Sequence, residues 1–398
     1  MKKTYIVYAK RTPMGKIGGQ LSDVRVDDLL AHVLKDLKST LSFDPLLIDD
    51  VIIGCANQAG EDNRNLARMA SVLADFPFEV PGTTLNRLCG SSLDAVMDAH
   101  ARISSGLNDC VVVGGAESMT RAPYALSKGS QAFGRDSKLY DTTFGWRFTN
   151  PEMEKRMPLL GMGETAEEVA QEYKISRERQ DEFAYLSHKK AIAAQESGAF
   201  SNEILPLTLK TKKSEITLTN DEGPRADTSP EVLAKLKPVF RSGGTVTAGN
   251  SSPMNDGASA MLIVSEEFLK KHQLAPLARI TGAAVRGVHP NVMGIGPVSA
   301  VEKLSSLTGI KAQSFDAIEL NEAFAAQALA CIDQLKLDPT RVNANGGAIA
   351  LGHPLGCSGT RILTTLVHRM QKDPNLKTGL ASMCIGVGQG IAVSVERC

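Results

Sequence analysis

Asp50-Val51-Ile52-Ile53, followed by Asn57 and Ala59, returns near the other end of the chain as Asp316-Ala317-Ile318-Glu319, followed by Asn321 and Ala323. A glycine–serine segment stands at a similar distance downstream of each. It reads Cys89-Gly90-Ser91-Ser92 after the first and Leu355-Gly356-Cys357-Ser358 after the second. A strand-like run ending in glycines then follows both, at 111–115 and 383–388. Each match is weak alone, but their shared order predicts a duplicated fold.

Outward from these repeats, apolar runs at 5–9, 51–53, 111–113 and 261–264 read as strands. The last three are short and continuous, as in strands buried on both faces. Further strand-like runs lie at 278–280, 316–320, 381–385 and 391–395. Helical spacing marks 26–38, 91–105 and 358–371; in the last, Ile362, Leu363, Leu366, Val367 and Met370 share a face. Such alternation predicts α/β layers. Residues 122–249 break the rhythm with the only tryptophan, two predicted helices (164–174 and 177–197) and a turn-rich DEGPRADTSP segment. Composition allows either a surface insertion or a lid or cofactor-binding subdomain.

Of 398 residues, 42% are hydrophobic and 22% charged, with 44 basic and 44 acidic side chains. That balance argues against nucleic acid or an anionic membrane as a bulk partner. No run approaches the roughly 18 apolar residues of a membrane span. The start MKKTYIVYA lacks a signal-peptide apolar run, and the end VSVERC is not a peroxisomal address. A cytoplasmic protein is expected, its seven cysteines reduced. They lack CxxC spacing, so no metal site is expected.

Chemistry concentrates at three places. Cys89 precedes the predicted helix 91–105, where free backbone N–H groups and the helix dipole favour a thiolate; the alternative is an ordinary buried cysteine. His353, between Gly352 and Pro354, is suited to hold an imidazole at a fixed angle, as a base or a donor to an oxyanion. The other histidines have no comparable setting. Cys384 enters Gly386-Val387-Gly388-Gln389-Gly390, where a second thiol can shuttle a proton and glycines let backbone N–H groups approach a substrate oxygen. Asn321 is read as orienting a water or substrate oxygen, or as a helix cap, and Glu322 as fixing a neighbouring loop.

These residues bring a family into view. NRLCGSS (86–92), TAGNSSPMNDGA (247–258), NEAFA (321–325), NANGGAIALGHPLGCSG (343–359) and CIGVGQG (384–390) together resemble the thiolases, the acyl-CoA C-acyltransferases, in order and spacing along essentially the whole chain. The resemblance implies two βαβαβαββ-type halves, layered α-β-α-β-α. Their bounds would be 1–121 plus 250–270, and 271–398, with 122–249 an inserted loop domain covering coenzyme A. It implies that Cys89 carries the acyl group and His353 activates it. Cys384 is then the acid/base at the acetyl-CoA α-carbon. Asn321, through a water, and His353 form one oxyanion hole, and the N–H groups of Cys89 and Gly386 the other. Arg225 would meet the adenosine phosphates, and Met162, Ala248, Ser252 and Phe324 would line the pantetheine tunnel. Coenzyme A and acyl-CoA are substrates here, with no permanently bound cofactor, and the chain is expected to form a homo-oligomer, dimer or tetramer.

Two departures bear on substrate. CIGVGQG stands where many biosynthetic acetoacetyl-CoA thiolases have GGMG, and Gly161 replaces a histidine common in them; both lean towards degradation. CANQAGEDNRN (55–65) and DTTFGWRF (141–148) resemble the 3-oxoadipyl-CoA thiolases, in which case Arg147 or a neighbouring base would pair with a distal carboxylate. An acetoacetyl-CoA-forming acetyltransferase, a condensing ketoacyl synthase and a noncatalytic acyl-CoA or lipid-binding protein are the alternatives. Retention of Cys384 and of every catalytic position favours the thiolase.

Overall fold

The computed structural model describes residues 2–210 and 215–398. Its main sheet runs, in order, Ala317–Leu320, Thr378–Ile385, Gln389–Arg397, Ala278–Gly287, Thr4–Arg11, Asn255–Ser265, Cys110–Ser118, Asp50–Gly54 and Gly82–Leu85. From Thr4–Arg11 outward, the first half pairs antiparallel, antiparallel, parallel, parallel. From Ala278–Gly287 outward, the second half repeats that pattern, its last parallel partner reduced to the Ile318–Val342 bridge. The duplication is therefore a property of the backbone. The halves meet edge to edge where Thr4, Tyr5 and Ile6 face Ile280, Arg279 and Ala278, a join that no motif foretells.

Side-chain alternation builds the layers, since successive strand residues face opposite ways. In Asn255–Ser265 every residue is buried. Ala258, Ala260, Leu262 and Val264 face an outer core shared with the helices Val26–Ser39 and Leu66–Leu73. Met261 and Ile263 face a central core instead. That central core draws Val96, Ile52 and Val113 from the first half and Leu366, Met383 and Val393 from the second. Gly296–Thr308 and Ala325–Leu335 cover the far face of the second half. The result is α-β-α-β-α, with Ser91–Ser105 and Ser358–Lys372 as the middle layer. Residues 358–367, packed between the two halves of this sheet, are buried on every side. The strand read at 261–264 is longer, beginning at Asn255, because Asn255 and Asp256 also pair with Lys16 and Gly15.

The two middle helices cross at their starts. Thr360 N donates to Ser92 Oγ at 2.9 Å, and a Cβ on Gly359 would collide with the backbone of Leu93. That close approach brings the segments before both helices together, one carrying Cys89 and the other His353.

Residues 122–249 form a short exposed hairpin (Tyr124–Leu126 with Leu139–Asp141) and the helices Pro151–Arg156, Met162–Glu172, Arg177–Glu196 and Pro230–Ala234. The segment is anchored by a buried ion cluster: Arg11 on the first strand donates to Glu203 at 2.7 Å and to Asp221 at 2.6 Å. No helix of the described residues is long and apolar enough to cross a membrane.

Candidate active site

The turn before Ser91–Ser105 is held open by its own side chains. Asn86 Oδ1 accepts from Leu88 N at 2.8 Å, while Ser91 Oγ accepts from Arg87 N and donates to Leu88 O. Leu88 sits at φ +48, a left-handed conformation unfavourable for a branched side chain. These local bonds hold it there and leave Cys89 half-buried at the head of the helix. Its sulfur receives the N–H of Gly386 and its own N–H, yet burial outweighs both and pushes the thiol up to about 11. The thiolate expected from the helix start is thus corrected: desolvation of an anion wins over helix-end electrostatics.

Gly386 begins a turn in which Val387 and Gly388 both have positive φ, +63 and +82. That turn follows directly on Thr378–Ile385, whose penultimate residue is Cys384. Cys384 is buried among Ala166, Val246, Met293, Ala323 and Phe324, with Met162 packed against them. Burial first, then the charge of Cys89, raise its thiol well above the usual range. The two thiols therefore share one region, and both are held in the protonated, uncharged form.

His353 is fixed from three sides. Its N–H donates to Asn255 Oδ1 at 2.9 Å, and Gly352 takes φ +108, where any Cβ would strike the Asn255 amide. Ser358 Oγ gives its proton to Pro354 O at 2.8 Å and lies 2.6 Å from His353 Nδ1. A hydroxyl has one proton, so the imidazole donates through Nδ1 and presents Nε2 as a free base. Burial, then the positive charge of Arg361, lower its pKa to about 3. The ring is neutral. Arg361 itself is fully buried, and its guanidinium nitrogens find no hydrogen-bond acceptor among the described residues.

Asn321 leaves the strand Ala317–Leu320 with its Nδ2 3.5 Å from both ring nitrogens of His353. Its buried Oδ1 has no partner among the described residues, as suits a residue that orients a water or a substrate oxygen. It is not a helix cap: the following helix starts at Ala325 and its N-cap is Phe324. Glu322 does fix neighbouring loops, accepting from Ser187 Oγ at 2.7 Å, Asn343 Nδ2 at 2.8 Å and Ile349 N at 3.1 Å.

Cys89, Met162 and Gly386 line one cavity of ≈ 370 Å³ together with Asn57, Trp146 and Arg147. Arg147 donates to Thr142 O at 3.3 Å and contacts Asn57 Oδ1 at 3.5 Å. Phe324 does not line this cavity but packs in the cluster that holds Cys384, and Ser252 donates to Ala323 O from both N and Oγ. Ala248 and Arg225 are exposed and lie outside the cavity lining. The Arg225 N–H donates to the buried His188 Nδ1 at 3.2 Å. No metal-binding cluster occurs among the described residues.

Sequence reasoning missed Asn255, Ser358, Arg361, Asn57 and Glu117. Asn255, Ser358 and Asn57 stood inside quoted motifs, without a chemical role to single them out. Glu117, on the strand Cys110–Ser118, acts chiefly on backbone N–H groups, which leave no side-chain pattern.

The description "Thiolase, N-terminal domain" matches residues 4–267 and "Thiolase, C-terminal domain" matches 274–397. The "Beta-ketoadipyl-CoA thiolase" of Pseudomonas aeruginosa is 51% identical over 399 residues, covering 100% of this chain and 99% of that protein. The "3-oxoadipyl-CoA/3-oxo-5,6-dehydrosuberyl-CoA thiolase" of Escherichia coli is 50% identical over 401 residues, covering 100% of both. Among solved structures, human mitochondrial 3-ketoacyl-CoA thiolase in complex with CoA superposes with a TM-score of 0.92 at 41% identity, covering 100% of this chain and 98% of that one.

Proposed function

The chain belongs to the thiolase family, an acyltransferase matched in both of its domains, and from that premise we propose that it cleaves 3-oxoadipyl-CoA with coenzyme A to acetyl-CoA and succinyl-CoA. The observation that carries the substrate is a single cavity containing both Cys89 and Arg147. No carboxylate lies within ion-pair distance of Arg147 among the described residues, and a guanidinium is matched to a carboxylate by geometry. The names of the relatives point the same way. Gly161, on the cavity wall, leaves room for an extended acyl chain.

In this reading Cys89 attacks the 3-keto carbon while His353 Nε2 takes its proton. The N–H groups of Cys89 and Gly386 stabilise the tetrahedral oxyanion. Breaking the C2–C3 bond leaves succinyl on Cys89 and the enolate of acetyl-CoA. His353 and a water oriented by Asn321 hold that enolate oxygen, and Cys384 gives its proton to the α-carbon. Cys384, now a thiolate, takes the proton of incoming coenzyme A, whose sulfur attacks the thioester. The imidazolium returns its proton to Cys89, and every proton is accounted for.

Coenzyme A is assigned to Arg225, Ala248, Ser252, Met162 and Phe324, beneath a cover formed by 122–249, with 1–121 plus 250–270 and 271–398 as the two thiolase halves. A homo-oligomer, dimer or tetramer, is supported by two features. Gly82–Leu85 ends the sheet with one edge unpaired, and Tyr124, Leu126, Phe133 and Leu139 are exposed on and beside the hairpin. The free cysteines suit a cytoplasmic setting. The test is turnover of 3-oxoadipyl-CoA against the uncharged 3-oxohexanoyl-CoA. A strong preference for the diacid supports the substrate, and equal kcat/KM for the two rules it out.

A further inference from the structure

Glu117 is buried and does not line the substrate cavity. Its Oε2 accepts from Ala56 N at 2.9 Å and from Gly356 N at 2.8 Å. Its Oε1 accepts from Asn57 N at 3.1 Å, with the Cys55 thiol 3.9 Å away. These donors come from two loops far apart in the chain. One follows the strand Asp50–Gly54 and carries Asn57; the other carries His353. Asn57 in turn donates to Thr142 O and Oγ1, both at 3.1 Å, and meets Arg147 Nη2. One carboxylate thus fastens the loop beneath the acyl pocket to the loop of the catalytic base.

We propose that Glu117 is a positioning residue for substrate choice: it sets Asn57, and through Asn57 the Arg147 guanidinium, at a fixed offset from the His353 loop. The distal carboxylate is then bound only when the 3-keto carbon lies at Cys89. This rests on the carboxylate reading of Arg147 given above. A carboxylate is needed because three N–H groups converge on two oxygens. A carboxamide has only one oxygen to accept with. In Glu117→Gln that oxygen goes where two donors meet, at Ala56 and Gly356. The amide NH₂ then opposes Asn57 N–H and displaces the Asn57 loop rather than the His353 loop.

The experiment measures kcat and KM of the purified full-length protein for 3-oxoadipyl-CoA and 3-oxohexanoyl-CoA, in wild type, Glu117→Gln, Asn57→Ala, the double variant and Arg147→Met. Hydrogen bonds to a charged group contribute about 1.5–3 kcal/mol, so losing their alignment lowers the diacid-to-neutral ratio of kcat/KM by about tenfold or more. The proposal expects that fall in Glu117→Gln and Asn57→Ala, expressed mainly in KM for the diacid. It expects no further fall in the double variant, because both changes break one chain. A brace with only a structural role would lower kcat for both substrates and leave the ratio alone; that result overturns the proposal. Should Glu117→Gln fail to fold, Asn57→Ala decides, since a full diacid preference there also overturns it. If wild type shows no preference, the substrate reading falls and this proposal with it. If Arg147→Met loses the preference while Glu117→Gln and Asn57→Ala keep it, only this proposal falls.

Discussion

Ser358 Oγ lies 2.6 Å from His353 Nδ1 and spends its single proton on the carbonyl of Pro354. The imidazole therefore holds its own proton on Nδ1, and Nε2 is the basic nitrogen. Replacing Ser358 by alanine removes the group that selects this tautomer. Ser358→Ala is expected to lower kcat by about tenfold, the effect of one buried hydrogen bond. Ser358→Thr, which keeps the hydroxyl, should restore most of it. Steady-state kinetics of the two variants check this.

Arg361 places a buried positive charge behind that imidazole without any hydrogen-bond acceptor among the described residues. Glu319, Asp221 and Glu203 offset the charge, and Arg11 opposes it. These longer-range attractions only partly offset the desolvation of a buried guanidinium that has no hydrogen-bond acceptor. Arg361→Met is therefore expected to keep or raise the melting temperature while slowing the reaction.

The same variant tests the sign of the pH effect. His353 is held down at about 3 against an ordinary 6.5. Because the folded value is lowered, the neutral ring adds stability above pH 6.5, and that stability is lost as pH falls from 6.5 towards 3. Without Arg361 the shift shrinks, so the acid limb of kcat/KM moves up towards neutrality. An unmoved limb with a lowered melting temperature would contradict this assignment.

Cys89 is raised to about 11, so the free enzyme holds a thiol. Alkylation by iodoacetamide is expected to quicken by about tenfold per pH unit from about pH 6 to about pH 9, with acyl-CoA protecting. A plateau below neutrality would mean a preformed thiolate. The rate profile, with peptide mapping of Cys89, distinguishes the two.

Much of the fold was legible because it is written twice. Asp50–Ile53 and Asp316–Glu319 head equivalent strands, and the helix 91–105 was read with both its ends, since glycine precedes it and follows it. The edge join at Thr4–Ile6 was not legible, because backbone pairing leaves no side-chain motif. Cys89, Cys384, His353 and Asn321 stood out through unusual neighbours. The electrostatic state of Cys89 did not: local sequence shows a helix start, whereas its burial comes from the central core that Leu88 and Cys89 pack against. Arg225 and Ala248 remain assigned by resemblance and exposure alone. Glu117 and Arg361 were invisible, since their effects need three segments brought together in space.

The proposed reaction requires an acyl group resting on Cys89. Enzyme mixed with 3-oxoadipyl-CoA in the absence of free coenzyme A should release one acetyl-CoA per site. Digestion and mass spectrometry should then find succinyl on the peptide containing Cys89, lost again when coenzyme A is added. Acetyl-CoA release with Cys89 unmodified, or succinyl on Cys384 instead, would contradict it.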